Sequence, residues 1–193
     1  MALPAEKEQY TYADVLAWDE GERAELIGGE VFLMAPAPAT DHQLISGELF
    51  GQLRDYLKGK RCKVIPAPFD VRLFEEDGDR PEDVDTVVEP DITIVCDPSK
   101  LDKRGCKGAP DMIVEILSPS TLRHDRMTKF NLYQRAGVRE YWIVDPGSRT
   151  AQSFVLEDGR YYAKEFGTVG DKMRVNVLED CMIDLSEVFS EWW

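Results

Sequence analysis

The chain has 193 residues, 43% of them hydrophobic, and a formal net charge of −14. That length supports one sizeable core, so a single domain over 1–193 is expected. Non-specific affinity for phosphate comes from Lys and Arg, so this acid excess counts against a simple nucleic-acid coat and less against a metal-dependent enzyme, because clustered acids bind divalent cations.

No stretch approaches the roughly 18 to 20 apolar residues of a membrane span, and "MALPAEKEQYTYADV" lacks the basic end and apolar block of a signal peptide. A cytoplasmic protein with no membrane partner is expected. Cys62, Cys96, Cys106 and Cys181 are scattered, mostly in apolar contexts, which points to reduced, buried thiols rather than disulfides. With only His42 and His124 available, no close-spaced Cys/His zinc cluster can form.

In chain order, "TYADVLAWDEGE" predicts a short helix capped by Thr11, and "RAELIGGEVFLMA" a hairpin about Gly28-Gly29. In "TDHQLISGELFGQLRDYLKG", Thr40 and Gln43 have capping-box spacing, and Ile45, Leu49, Leu53 and Leu57 mark one helical face. "CKVIPAPFDVRLF" is strand-like with prolines that suit a bend or an edge, and "EEDGDRPEDVD" is a solvated acidic loop. "EPDITIVCD" and "PDMIVEILSPST" carry two buried strands joined by the polar "PSKLDKRGCKGAP". A helix follows over "SPSTLRHDRMTKFNLYQRAG", with Phe130 and Tyr133 on its apolar side and Gly137 as its stop. "VREYWIVDP" is another buried strand, "TAQSFVLEDGRYYAKEF" a hairpin about Asp158-Gly159, and "LSEVFSEWW" a short closing helix. An apolar strand, a helix and a second apolar strand form a crossover unit, so the fold class is α/β, a mixed sheet flanked by helices on both faces with N-terminal and C-terminal hairpins.

Two acids stand out within the apolar strands. Side chains alternate along a strand, so Asp91 and Glu115 point the same way if their strands are neighbours. Carboxylates brought that close are tolerated when they share a proton or a divalent cation, and oxygen ligands at a partly open site suit magnesium or manganese. The plainer alternative is that Asp91 caps a strand end and Glu115 pairs with a buried Arg. Lys129, on the following helix, forms a surface ion pair with Asp125 four residues before it, or its ammonium serves a phosphoryl transition state.

"EPDI", "DMIVEILSPST", "RHDRMTKFNLYQRAGVREYWIVDP" and "AELIGGEVFLMAPAPATDHQ" together resemble the restriction endonuclease-like family of the PD-(D/E)XK phosphodiesterase superfamily, over about Tyr12 to Leu185. The resemblance implies a restriction-endonuclease-like core and a DNA endonuclease in which Asp91, Glu115 and the Ile116 carbonyl hold Mg2+ or Mn2+. The superfamily's lysine commonly stands two residues after the Glu, where this chain has Leu117, and in this family it is relocated to the following helix, which maps onto Lys129.

Three residues are candidates for the rim of the site. Glu25 is either an exposed strand acid or a site acid, and His42 either a structural histidine or one that contacts water or phosphate. Asp70 either stands behind the metal's ligands and orients them or pairs with Arg72 or another basic residue. His124 reads as a solvated helix residue. The rival functions are a module of the same fold that binds or regulates without cleaving and, more weakly, a small-molecule phosphohydrolase. Aromatics in "EYWIVDP" and "EWW" suggest a homodimer that buries some of them, with Trp142 as plain core the alternative.

Overall fold

Two apolar runs, buried at every position, occupy the middle of the protein: β5 (Ile92–Val95) and β8 (Met112–Ile116). The computed structural model describes residues 7–18, 23–34, 39–119 and 121–190. A six-stranded sheet is ordered β11-β10-β9-β8-β5-β3, with β3 Lys63–Pro66, β9 Glu140–Asp145, β10 Thr150–Glu157 and β11 Arg160–Thr168. Its neighbours are antiparallel except β8 and β9, which are parallel and joined by the crossover helix α3 (Phe130–Ala136). The sheet is therefore mixed, as the strand-helix-strand pattern predicts. Pro66 lies on β3, an edge strand, where a missing N–H leaves no central ladder bond unmade.

Helices cover both faces. The helix α2 (Thr40–Leu57) lays Ile45, Leu49, Leu53 and Leu57 on Ile92, Ile94, Met112, Val114 and Ile116. Burying each such side chain is worth about 1.5–3 kcal/mol. Opposite, Leu132 and Tyr133 of α3 pack on Val95, Ile113, Tyr141 and Ile143. Gly137 ends α3 with φ 88°, a left-handed turn that glycine adopts without a Cβ clash. The expected Thr40 cap is displaced by one residue: Thr40 is already helical and Ala39 is the N-cap.

The remaining elements decorate the sheet. α1 (Tyr12–Val15) starts after Thr11, whose N–H donates to Asp14 Oδ2. β1 (Ala24–Ile27) and β2 (Glu30–Leu33) form the N-terminal hairpin, held to the body by a bridge between Leu26 and Val87. The connection expected to be merely polar contains β6 (Leu101–Asp102) and β7 (Gly105–Lys107), and β7 pairs with β4 (Val71–Arg72). A small pair, β12 (Lys172–Arg174) and β13 (Met182–Asp184), precedes the closing helix α4 (Leu185–Val188). No helix among the described residues is long and apolar enough to cross a membrane.

One expectation needs correction, and the plain-core alternative for Trp142 holds. Cys62 and Cys96 form a disulfide, while Cys106 and Cys181 are buried thiols. The cause is register: Lys63 pairs with Val95, and one further step sets Cys62 opposite Cys96. Trp142 is fully buried in the chain's own core and donates to Glu140 Oε1 at 2.7 Å, so it takes no part in a dimer surface. Trp192 and Trp193, the other basis for a dimer, lie outside the described residues.

Candidate active site

The β5–β8 register pairs Ile92 with Val114 and, continued by one residue, sets Asp91 opposite Glu115, whose side chain meets Lys129 and Tyr133 on the α3 side. The Ile116 N–H donates to Asp91 Oδ2 at 2.7 Å, which fixes that carboxylate at the strand end. Glu115 is 4% exposed, and its Oε1 accepts from Lys129 Nζ at 2.9 Å and from the Tyr133 hydroxyl at 2.6 Å.

Lys129 comes from an unusual backbone. Residues His124–Lys129 form a π-helix that runs directly into α3. Its wider turn changes the backbone pairing, and the Asp125 carbonyl accepts a hydrogen bond from the Tyr141 hydroxyl at 3.1 Å. Asp125, Lys129 and Tyr133, four residues apart, are all buried. The surface ion pair considered for Lys129 is thus overturned: the residue is only 5% exposed, and its ammonium sits among Glu25 Oε1 at 2.8 Å, Glu115 Oε1 at 2.9 Å and Asp125 Oδ1 at 3.6 Å.

Glu25 arrives from β1 and is buried, not the exposed strand acid. Its Oε1 also accepts the Glu89 N–H at 3.0 Å, and its Oε2 lies 3.7 Å from His124 Nε2. His124, expected to be solvated, instead packs on Phe32 of β2 with ring centroids 4.7 Å apart. His42, in the first turn of α2, places Nε2 3.3 Å from Asp91 Oδ2. Asp70 is not brought to the lysine cluster: it accepts from the Tyr12 hydroxyl at 2.6 Å, while Arg72 pairs with Glu75 and Asp102. Asp125 and Tyr133 are site residues that the sequence reading did not assign, although their four-residue spacing from Lys129 was visible.

Glu25, Glu115 and Asp125 thus face one lysine, with the Asp91 charge acting on Glu115 as well, and the electrostatics follow from that imbalance. Burial, then the charges of Asp125, Asp91 and Glu25, push the Glu115 carboxyl well above its ordinary range despite Lys129. Burial also raises Asp125, whose Oδ1 lacks a hydrogen-bond partner among the described residues. Burial works against ionised Glu25 as well, yet Lys129, His124 and the Glu89 N–H together hold its carboxyl well below the usual range. Lys129 is buried too, but the surrounding carboxylates raise its pKa and keep it an ammonium.

Glu140 is a useful contrast, because it is a buried acid of purely structural kind. Trp142 Nε1, Asn176 Nδ2 and the Val177 N–H all donate to it, at 2.7, 3.1 and 2.7 Å, and these donors are neutral. Glu115, by comparison, stands among like charges. Among the described residues no three His, Cys, Asp or Glu side chains are arranged to hold a metal ion by themselves. Magnesium needs fewer, since it is bound through one or two carboxylates and completes its sphere with water and substrate oxygens. Asp91, Glu115 and the Ile116 carbonyl have the donor chemistry for a hard divalent cation, and an excess of buried negative charge is what such a cation would neutralise.

Comparison with known proteins agrees with this frame. The profile of the Uma2 family, described as "Putative restriction endonuclease", matches residues 12–186. An uncharacterized protein of Synechocystis sp. (strain ATCC 27184 / PCC 6803 / Kazusa), slr1290, is 27% identical over 138 residues, which span 70% of this chain and 68% of that protein. The crystal structure of "a putative nuclease belonging to DUF820" from Anabaena variabilis ATCC 29413 superposes with a TM-score of 0.70 at 18% identity, covering 94% of this chain and 98% of that one, and so shares the fold. With nearly its whole described length matched, the chain belongs to the Uma2 family of restriction endonuclease-like proteins.

Proposed function

We propose that the protein is a divalent-metal-dependent endonuclease of PD-(D/E)XK type that hydrolyses DNA phosphodiester bonds. The observation that carries this reading is the meeting of Asp91, Glu115 and Lys129 at one sheet end, from a strand mouth, a central strand and a π-helix, with acid in excess of base. Asp91, Glu115 and the Ile116 carbonyl would hold Mg2+ or Mn2+. When bound, the cation supplies positive charge that polarises a phosphoryl oxygen.

The chain's own groups supply the rest. The Ile116 N–H orients Asp91, and Tyr133 and Lys129 orient Glu115, so neither carboxylate has to be reorganised for the reaction. Lys129 keeps its proton beside three carboxylates and carries a fixed positive charge toward a phosphoryl group that gains negative charge. A second reading, a module of the same fold that does not cleave, is favoured by one observation: Lys129 is buried and already engaged by acids, so a substrate must reach it through Glu25 and Glu115.

Incubation with supercoiled plasmid, linear duplex and single-stranded DNA, in Mg2+, in Mn2+ and in a chelator, decides between them. Metal-dependent cleavage of at least one DNA form supports the nuclease. Binding without cleavage in every metal supports the non-cleaving module.

A further inference from the structure

The run "KGKRCK" at 58–63 gathers four cations in a chain whose net charge is −14. It forms the turn from α2 into β3, and Lys58, Lys60, Arg61 and Lys63 are all exposed. Lys60 lies over the Tyr56 ring, 3.2 Å from its centroid, and Lys63 Nζ donates to the Lys60 carbonyl at 3.5 Å. Among the described residues none of the four is in an ion pair, and acids close in sequence have other partners. Asp55 is paired with Arg54, and Asp97 accepts from the N–H and the hydroxyl of Ser99. Like charges gathered in this way repel one another and attract an anion from outside the chain.

The turn is anchored, and it stands in line with the acid site. Leu57 is buried in the core, the Cys62–Cys96 bond ties the turn to β5, and Lys63 pairs with Val95. From there β3 runs along the edge of the six-stranded sheet toward Ala67, whose N–H donates to the Asp91 carbonyl at 3.0 Å. The strand rise of about 3.3 Å per residue sets Lys63 about 13 Å from Ala67 and the Asp91 carbonyl beside it. Phosphates on one strand of duplex DNA advance about 3.4 Å each, so that span is about four nucleotides. A helix C-terminus attracts cations through its dipole, which accounts for Lys58, the C-cap of α2, but not for Lys63 on a strand.

We propose that the turn 58–63 is a DNA-docking site separate from the acid cluster. Its cations hold backbone phosphates about four nucleotides to one side of the bond under attack, and supply the attraction that an acidic site lacks. The inference rests on the DNA reading proposed above and deepens it by naming where the duplex is held. Contacts of this kind position a substrate without reading its sequence.

Fluorescence anisotropy of a labelled duplex, titrated in Ca2+ over about 50 to 200 mM salt, tests this without reading cleavage. Lys58, Lys60, Arg61 and Lys63 are changed together to Gln. Each phosphate contact contributes about 0.9 to the slope of log K against log salt, so losing two to four contacts should flatten the slope by about 1.8 to 3.6. Binding at the lowest salt should weaken about tenfold or more. If that variant fails to fold, Lys60→Gln with Lys63→Gln, clear of the helix end, should flatten the slope by about 1.8. Loss of wild-type binding in the variant supports the inference even where no DNA is ever cut, a result that refutes only the nuclease. An unchanged slope and affinity overturns the inference and leaves the nuclease reading standing, and a lower melting temperature with that result assigns the cations to the helix dipole. Loss of binding to anionic phospholipid vesicles with duplex binding intact assigns the turn to a lipid surface and also overturns it. Absence of duplex binding by the wild type overturns the DNA reading and this inference together.

Discussion

Lys129→Met is the perturbation whose outcome the site geometry constrains most closely. Methionine keeps most of the lysine's volume, so little of the change is a cavity cost. What disappears is the one ammonium among Glu25, Glu115 and Asp125, which approach it to 2.8, 2.9 and 3.6 Å. At an effective dielectric of about 20, each unit-charge pair near 3 Å is worth roughly 5 kcal/mol before desolvation is set against it. Removing one partner of a buried pair costs about 3–5 kcal/mol net, whereas losing a surface pair costs about 0.2–1 kcal/mol. With lysine and acids all 5% exposed or less, the larger figure applies, so a loss of about 4 kcal/mol at pH 7 is expected. The sign of the pH dependence is also fixed. Wild-type Glu25, held low, contributes stability that is present above an ordinary carboxylate pKa and lost as pH falls through the folded one. Without the ammonium, the carboxyls take up protons on folding, so the variant's deficit shrinks as pH falls toward about 4. Urea unfolding in a chelator, at pH 7 and pH 5, measures both. A deficit under about 1 kcal/mol at pH 7, or one that grows on acidification, would refute the reasoning.

Other expectations follow from neighbouring contacts. Glu115→Gln removes the carboxylate repelled by Asp91, Asp125 and Glu25 and keeps its shape, so metal-free stability at pH 7 should hold or rise by about 0.5–2 kcal/mol. A loss above about 2 kcal/mol in denaturant would contradict the charge imbalance. Tyr133→Phe deletes the 2.6 Å bond to Glu115 Oε1 and should cost about 1–2 kcal/mol by the same assay, while an unchanged midpoint would show the hydroxyl to be idle. Gly105→Ala should destabilise severely, because at φ 132° a Cβ would meet the Asp70 carbonyl oxygen at 2.1 Å; a melting temperature equal to wild type would exclude that close approach. Under denaturing, non-reducing conditions a thiol reagent should count Cys106 and Cys181 only, and titration of all four cysteines would contradict the Cys62–Cys96 bond.

Local patterns carried much of the fold into the sequence. The four-residue spacing of Ile45, Leu49, Leu53 and Leu57 belongs to a helix over one face of a sheet, and the mostly apolar, fully buried runs of β5 and β8 to strands covered on both sides. Gly137 and the Asp158-Gly159 turn mark chain reversals because their backbones require positive φ. What could not be read depends on long-range register. Cys62 meets Cys96 only because β3 pairs with β5, and Glu25 reaches Lys129 only because the N-terminal hairpin docks through Leu26 and Val87. The π-helix has no sequence signature of its own, yet it helps bury Asp125 and Lys129 on the same side as Tyr133. Asp70 reads as an acid near a strand in the same way as Asp91, and only tertiary pairing with Tyr12 separates the two.

The central claim is that Asp91 and Glu115 form a metal-dependent catalytic pair rather than a structural one. Its most direct test is the initial rate of plasmid nicking in saturating Mn2+ by the wild-type chain and by Asp91→Asn, each confirmed folded by its melting curve. The account predicts metal-dependent nicking by the wild type and a loss of about a hundredfold or more in the variant, the scale of removing a group that stabilises transition-state charge. Equal rates in the two proteins, or nicking that persists in a chelator, would contradict it.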